Sequence, residues 1–182
     1  MQFQHFSLIL KIDYYKKGGV YYDKEKEYYD EQTPIFYNLV VEFQRVMYES
    51  PYREYLETII GPVAFKNIEI SLKANDEKLI PLQQEENALT TEYDKLIASA
   101  KIDWDGETLN LSLLRPYLES QDREVRAKAW AKNNAFFEEN AEKLDELYDK
   151  LVKNRTKQAQ MLGYENYVQL GYYRMGRNCY GQ

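Results

Sequence analysis

One stretch of the sequence, residues 121–162, contains neither proline nor glycine. Ser120 and Gly163 flank it as a candidate N-cap and a candidate C-cap, and large apolar residues recur every seven positions from Trp130 to Leu151. This pattern predicts one long helix over about 121–162. Unbroken, it would be about 63 Å long, whereas a compact globule of this size is about 40 Å across. Either the helix breaks, or the chain is elongated, or the helix lies along something that is not in this sequence.

The segment before this helix is also predicted to be helical, and residues 1–19 are predicted to be irregular. Thr33 and Pro34 are typical of the first residues of a helix, so we predict a helix start there. The residues that follow form an apolar stripe at helical spacing, which predicts a buried face. The members of the stripe are Ile35, Leu39, Phe43, Val46 and Met47.

A single β-hairpin is predicted at about 99–111. Asp105 and Gly106 lie between alternating apolar positions, with Trp104 before them and Leu109 after them. Asp-Gly in this context is the strongest short-range signal for a two-residue hairpin turn. The predicted fold class is therefore mainly α, a multi-helix array with one long helix and one hairpin.

Composition excludes several kinds of catalytic and metal site. His5 is the only histidine and Cys179 the only cysteine, so neither a two-histidine zinc motif nor an internal disulfide can exist. Adjacent carboxylate pairs such as Glu85 and Glu86 leave a helix about 100° apart, so we expect them on solvated faces. We therefore assign no catalytic residue, no metal ligand and no cofactor to this chain.

Charge and hydropathy also limit the partners and the location. The net charge of −6 opposes general binding to nucleic acid. No run of about eighteen apolar residues predicts a membrane span, and the N-terminus does not resemble a signal peptide. With one cysteine, the sequence favours a cytoplasmic location.

The last segment carries the candidate binding residues. Tyr173, Arg174 and Arg177 crowd a turn that glycines punctuate. Arginines beside aromatic rings are suited to hold a peptide carboxylate or backbone, so these three residues are candidate peptide contacts. The alternative is a helix corner that tyrosines pack, without a ligand.

Two strings resemble a known family. EYDKLIASAKI, which precedes the predicted hairpin, and LGYENYVQLGYYRMGR near the end are similar to the oligoendopeptidase F branch of the M3 metallopeptidases. The resemblance covers roughly residues 20–180. It implies an almost wholly helical fold with a deep peptide channel, and zinc held by an HExxH helix and a later Glu. It also implies that the Glu of that motif acts as general base. No position of this sequence matches a zinc ligand or a catalytic residue, and the family's earlier helices are missing.

We therefore expect residues 20–182 to form a single partial domain, the helical non-catalytic part of an M3-type peptidase that hydrolyses short peptides with zinc. The chain would form channel wall, pack against a missing catalytic domain, and by itself be inactive and bind no zinc. The alternative is a free-standing helical module for protein interaction, derived from such a peptidase.

Overall fold

The computed structural model describes residues 20–180, and these are mainly helical, as predicted. In this part of the chain there are eight α-helices, one short 3₁₀ turn (Glu77–Leu79) and one two-stranded hairpin. The helices are α1 (Val20–Tyr48), α2 (Arg53–Ile60), α3 (Pro62–Ala74), α4 (Ile80–Ala98), α5 (Leu111–Leu118), α6 (Arg123–Glu139), α7 (Ala141–Met161) and α8 (Tyr167–Arg174). The strands are β1 (Ile102–Trp104) and β2 (Glu107–Leu109). The segment predicted to be irregular, 1–19, lies outside the described residues.

The chain divides into two compact units. One contains the residues up to Ala88 together with those from Val152 onward, and the other runs from Leu89 to Leu151. The boundaries between them fall within α4 and α7. Two compact units can belong to one domain, so the single domain predicted over 20–182 stays a prediction.

The long helix predicted over 121–162 is divided at Asn140, so its continuity was wrong. The Asn140 side chain donates to the Phe136 carbonyl (2.8 Å), and its backbone N–H donates to the same carbonyl (3.2 Å). Asparagine competes for backbone groups in this way, which disfavours a helix interior. The predicted start also moves, because Asp122 rather than Ser120 is the N-cap. The predicted end at Gly163 is confirmed by its positive φ of 87°.

Pro34 does not begin a helix, because α1 runs through it. Proline has no N–H, so it leaves the carbonyl four residues earlier, that of Asp30, without its helix donor. Asn87 of α4 donates its side-chain N–H to this carbonyl (2.9 Å), and Gln84 donates to the Glu31 carbonyl (2.7 Å). A neighbouring helix thus satisfies the backbone around Pro34 and lets α1 continue.

The predicted buried face of α1 is largely exposed. Leu39, Phe43 and Val46 are each more than 60% exposed, and Ile35 is also exposed, whereas Met47 is half-buried. Among the residues of α1 whose burial the structure describes, Pro34 and Val41 are the buried ones. Helical spacing identified an apolar face correctly, but it carries no information on which element covers that face.

The predicted hairpin is confirmed, and the second unit has an apolar core around it. Ile102 pairs with Leu109 in the antiparallel register, and Asp105 and Gly106 both have positive φ (51° and 90°). That is the type I′ turn that Asp-Gly favours. The buried residues of this core come from both strands, α5 and α6, and they are Ile102, Trp104, Leu109, Leu114 and Ala129.

In the first unit, a small apolar cluster fixes the last helix. Leu170 of α8 is fully buried against Ala74 of α3 and Ala159 of α7. Tyr164 packs on this cluster and donates its hydroxyl to the Lys73 carbonyl (2.9 Å). α8 is thereby held against α3 and α7, which positions the residues of its last turn.

Candidate functional site

A largely buried carboxylate, Glu86 of α4, lies at the centre of the candidate site. Its side chain is 13% exposed, and it receives charged or amide donors from two other helices. Arg155 donates to one oxygen (2.7 Å), while Arg174 and Gln158 donate to the other (2.9 and 2.8 Å). Glu86 thus joins α4, α7 and α8. The expectation that it faces solvent was wrong.

Amide side chains extend the network along α7. Gln158 is fully buried and donates to the Asn154 side-chain oxygen (2.6 Å), and its own oxygen accepts from Arg174. Asn154 donates to the Leu82 carbonyl (3.0 Å) and to the exposed Glu85 carboxylate (2.7 Å). The buried amides therefore have partners, as buried polar groups require.

Opposing effects act on the ionisation of this network. Burial raises the pKa of Glu86, but the charge of Arg174 and the hydrogen bonds from Arg155, Gln158 and Arg174 outweigh burial, so the pKa is lowered. Burial lowers the pKa of Arg174, and the nearby Glu86 charge reverses this to a net increase. The pair is therefore ionised at neutral pH. Its geometry is the hydrogen-bonded pairing that a buried charge needs.

A pocket of about 330 Å³ opens beside this network within the first unit. Residues of α1, α4 and α8 and of the C-terminal end of α3 line it, and most of them are polar. They are Thr33, Pro34, Tyr37, Ala74, Asn75, Gln83, Glu86, Asn87, Tyr173 and Arg174. Ligand sites are usually lined mainly by apolar side chains, so this polar lining favours a ligand that has many hydrogen-bonding groups.

The three predicted peptide contacts occupy two different places. Tyr173 and Arg174 both line the pocket, where Glu86 and Gln158 hold Arg174. Arg177 does not line it, and instead lies over the ring of Tyr172, with 4.5 Å from the guanidinium carbon to the ring centroid. That these three residues contact a peptide stays a prediction, and Glu86 was not selected from the sequence. Position 90, four residues after Glu86, is a threonine and not a lysine or arginine, so nothing nearby in the sequence indicated that Glu86 is paired and largely buried.

The described residues do not fit a zinc site. Among them, no group of three or more His, Cys, Asp or Glu side chains could hold a metal ion. Cys179 is exposed and donates its thiol to the Asn178 side chain (2.6 Å), and His5 lies outside the described residues. In residues 20–180, no helix combines the length and the apolar character that crossing a bilayer requires.

Comparison with known proteins agrees with a helical peptidase scaffold. Two family models match, the peptidase M3 N-terminal domain over residues 19–75 and peptidase family M3 over residues 116–178. No curated protein sequence matches the chain.

Three solved structures have the same fold. A protein named oligoendopeptidase F is 42% identical (TM-score 0.84) and is matched by 88% of this chain. PZ peptidase A, solved with an inhibitor, is 41% identical (TM-score 0.91) and is matched by 99%. An oligoendopeptidase F from Bacillus anthracis str. Ames is 36% identical (TM-score 0.91) and is matched by all of it. The chain spans 28%, 32% and 34% of the length of these proteins, in that order.

The fold therefore defines a helical, peptidase-type scaffold. The chain belongs to peptidase family M3, and its structural relatives are of the oligoendopeptidase F type. It corresponds to about a third of such a protein.

Proposed function

We propose that this chain forms part of a zinc-dependent M3 oligopeptidase that hydrolyses short peptides, and that it supplies wall of the peptide channel. The family matches and the likeness to oligoendopeptidase F structures support this proposal. Since the described residues hold no set of metal donors, zinc and the hydrolytic step would belong to the rest of the enzyme.

The observation that carries a peptide-binding role is the pocket beside Glu86. Arg174 is held at its edge by a carboxylate and an amide, so its guanidinium keeps one orientation. Tyr173 adds an aromatic surface, and Asn75 and Gln83 add amide groups. Polar groups with fixed positions around a concave space suit the backbone of an extended peptide.

The exposed apolar residues of α1 and α2 support a second part of the proposal, packing against the catalytic remainder of the enzyme. Leu39, Phe43 and Val46 of α1 are exposed, as are Tyr55 and Ile59 of α2. Leu39, Phe43 and Val46 recur at helical spacing and so share one face of α1, and an exposed apolar face supports an interaction site. We propose the remaining two-thirds of an M3 peptidase as its partner, in the cytoplasm.

The same exposed faces favour a second candidate function, a free-standing module that binds another protein through α1 and α2. The two functions differ in what they require of the pocket. A channel wall needs Tyr173 and Arg174 for peptide binding, whereas an interaction module needs only the apolar faces.

A chimera tests the leading proposal. The matching third of an oligoendopeptidase F relative is replaced by this chain, and hydrolysis of a quenched fluorescent peptide is measured with and without removal of zinc. We expect hydrolysis that zinc removal abolishes. We also expect R174A to raise KM about tenfold, whereas the control R115A leaves it unchanged, since Arg115 pairs only with the exposed Glu119. A folded, zinc-loaded chimera without activity would contradict the proposal.

A further inference from the structure

Arg177 differs from Arg174 in its partners, although only three residues separate them. The Arg174 side chain is 23% exposed and forms an ion pair with Glu86. In the part of the chain that the structure describes, no carboxylate forms an ion pair with Arg177. Its guanidinium instead lies over two tyrosine rings, 4.5 Å from the Tyr172 centroid and 5.3 Å from that of Tyr180, and these rings contact each other edge to face (6.4 Å between centroids).

The backbone fixes this arrangement. α8 ends in a Schellman motif, in which Gly176 (φ 69°) donates to the Tyr173 carbonyl (2.9 Å) and Arg177 donates to the Tyr172 carbonyl (3.1 Å). This motif brings the residue after the glycine onto the side chain of the last helical turn, which here places Arg177 over Tyr172. Asn178 then donates to the Asn67 side chain (2.6 Å), so the turn is also tied to α3.

The chemistry of this turn fits an anion with planar geometry. A guanidinium has five N–H donors in its plane, and stacking on an aromatic face leaves the edge of that plane available. A carboxylate matches the edge with two parallel hydrogen bonds. Because the two tyrosine rings already restrict the Arg177 side chain, less of its conformational entropy remains to be lost on binding.

We propose that Arg177, with Tyr172 and Tyr180, is a carboxylate-binding site. The ligand class is the carboxylate of a short peptide, which rests on the proposed peptidase function. The carboxylate comes either from the peptide C-terminus or from an acidic side chain, and the two sources present the same group.

Arg53 is a matched control within the chain. It also lies over aromatic rings, 4.0 Å from the Tyr48 centroid and 5.9 Å from that of Phe65. The pKa of the Glu69 carboxyl is lowered mainly by the hydrogen bond from Lys73, and the charge of Arg53 lowers it further. Unlike Arg177, Arg53 therefore has a carboxylate nearby. A stacked arginine with a carboxylate of its own nearby is not expected to recruit another.

The test is a titration of the 182-residue chain with dipeptide probes, in which the ¹⁵N NMR signals of the arginine Nε–H groups report binding. The probes are an N-acetylated dipeptide with a free C-terminus, its C-terminal amide, and an amidated dipeptide that contains Glu. We expect the free acid to shift and saturate the Arg177 signal, the plain amide to leave it unchanged, and R177A to weaken binding at least tenfold. R177K is expected to bind less tightly than the wild type, because it lacks the fork of donors.

The three probes distinguish a C-terminal carboxylate from a side-chain carboxylate, and they also define the results that would overturn the proposal. A response to both carboxylate peptides assigns the site to carboxylates generally, and a response to the free acid alone assigns it to the C-terminus. Equal shifts at Arg177 and Arg53, or equal responses to acid and amide, would overturn the proposal. The assay needs no catalysis, so an inactive chimera would contradict the proposed function without deciding this one.

Discussion

The two units of the chain differ in the core that each contains. The first unit buries apolar residues such as Phe65 and Leu170, but it also contains a charged core, in which Arg155, Arg174 and Gln158 surround the largely buried carboxylate of Glu86. In the second unit the centre is Trp104 of the hairpin, among aliphatic side chains. The stability that the apolar core contributes depends on the apolar area removed from water. The stability that the charged core contributes depends on the geometry of its hydrogen bonds and on the ionisation of its side chains. A charged core can therefore orient groups such as Arg174 at the edge of a pocket. It also makes the stability of the unit sensitive to substitution of its charged residues and to pH.

The largest single effect is expected in the apolar core. Replacing Trp104 with Ala removes a buried ring that packs on Tyr117 at 4.6 Å between centroids, and should cost about 4 kcal/mol of unfolding free energy. Urea unfolding followed by far-UV circular dichroism measures it. W130A is the control, because Trp130 is half exposed and should cost about 1 kcal/mol. Equal costs would contradict an apolar core centred on Trp104.

The charged core should respond almost as strongly. Glu86→Ala leaves Arg174 buried without its carboxylate, and should cost about 3 kcal/mol at pH 7. The adjacent Glu85 is exposed and accepts only from Asn154, so E85A should cost less than about 1 kcal/mol in the same urea assay. A cost for E86A no larger than that for E85A would show that the network contributes nothing specific.

A smaller effect tests how α1 continues through Pro34. Asn87→Ala removes the donor to the Asp30 carbonyl and should cost about 1–2 kcal/mol. In a P34A background the backbone N–H gained at position 34 can bond that carbonyl, so the cost of N87A should fall by about 1 kcal/mol. Unfolding free energies of the four proteins form the double-mutant cycle. Strict additivity would mean that Asn87 does not compensate for the proline.

The smallest effect concerns the hairpin turn of the apolar unit. Gly106 has a φ of 90°, and a Cβ there would meet no atom within 4 Å, so the cost of G106A is one of backbone strain alone, about 1 kcal/mol. Asn tolerates positive φ better than Ala does, so G106N should cost less. The melting temperatures of the two variants give the comparison, and a lower value for G106N would contradict the turn assignment.

Local sequence signals predicted the hairpin turn and one helix end better than they predicted the continuity of the long helix. Asp105 and Gly106 determine their hairpin through short-range backbone geometry, and Gly163 ends its helix in the same way. Asparagine disfavours helix interiors, but Asn133, Asn134 and Asn154 lie within helices, so the residue type of Asn140 did not by itself predict a break.

The candidate site depended on tertiary contacts that spacing does not reveal. Tyr173, Arg174 and Arg177 could be selected because arginines beside tyrosines near glycines are visible in a sequence. Glu86 could not, because its partners lie about 70 and 90 positions away. The same holds for Pro34, whose carbonyl partner on α4 is distant in sequence.

The most direct test of the charged core is the pH dependence of stability in the wild type and in E86Q. The pKa of Glu86 is lowered by folding from its ordinary value of 4.5, so its contribution is complete above that value and is lost as the pH falls through the lower, folded-state pKa. We therefore predict a stability gap between wild type and E86Q that is constant from about pH 7 to pH 5 and narrows toward about pH 3. W104A should keep its own gap throughout. A gap for E86Q that stays constant over the whole of that range would contradict an ionised, largely buried Glu86 as the centre of the charged core.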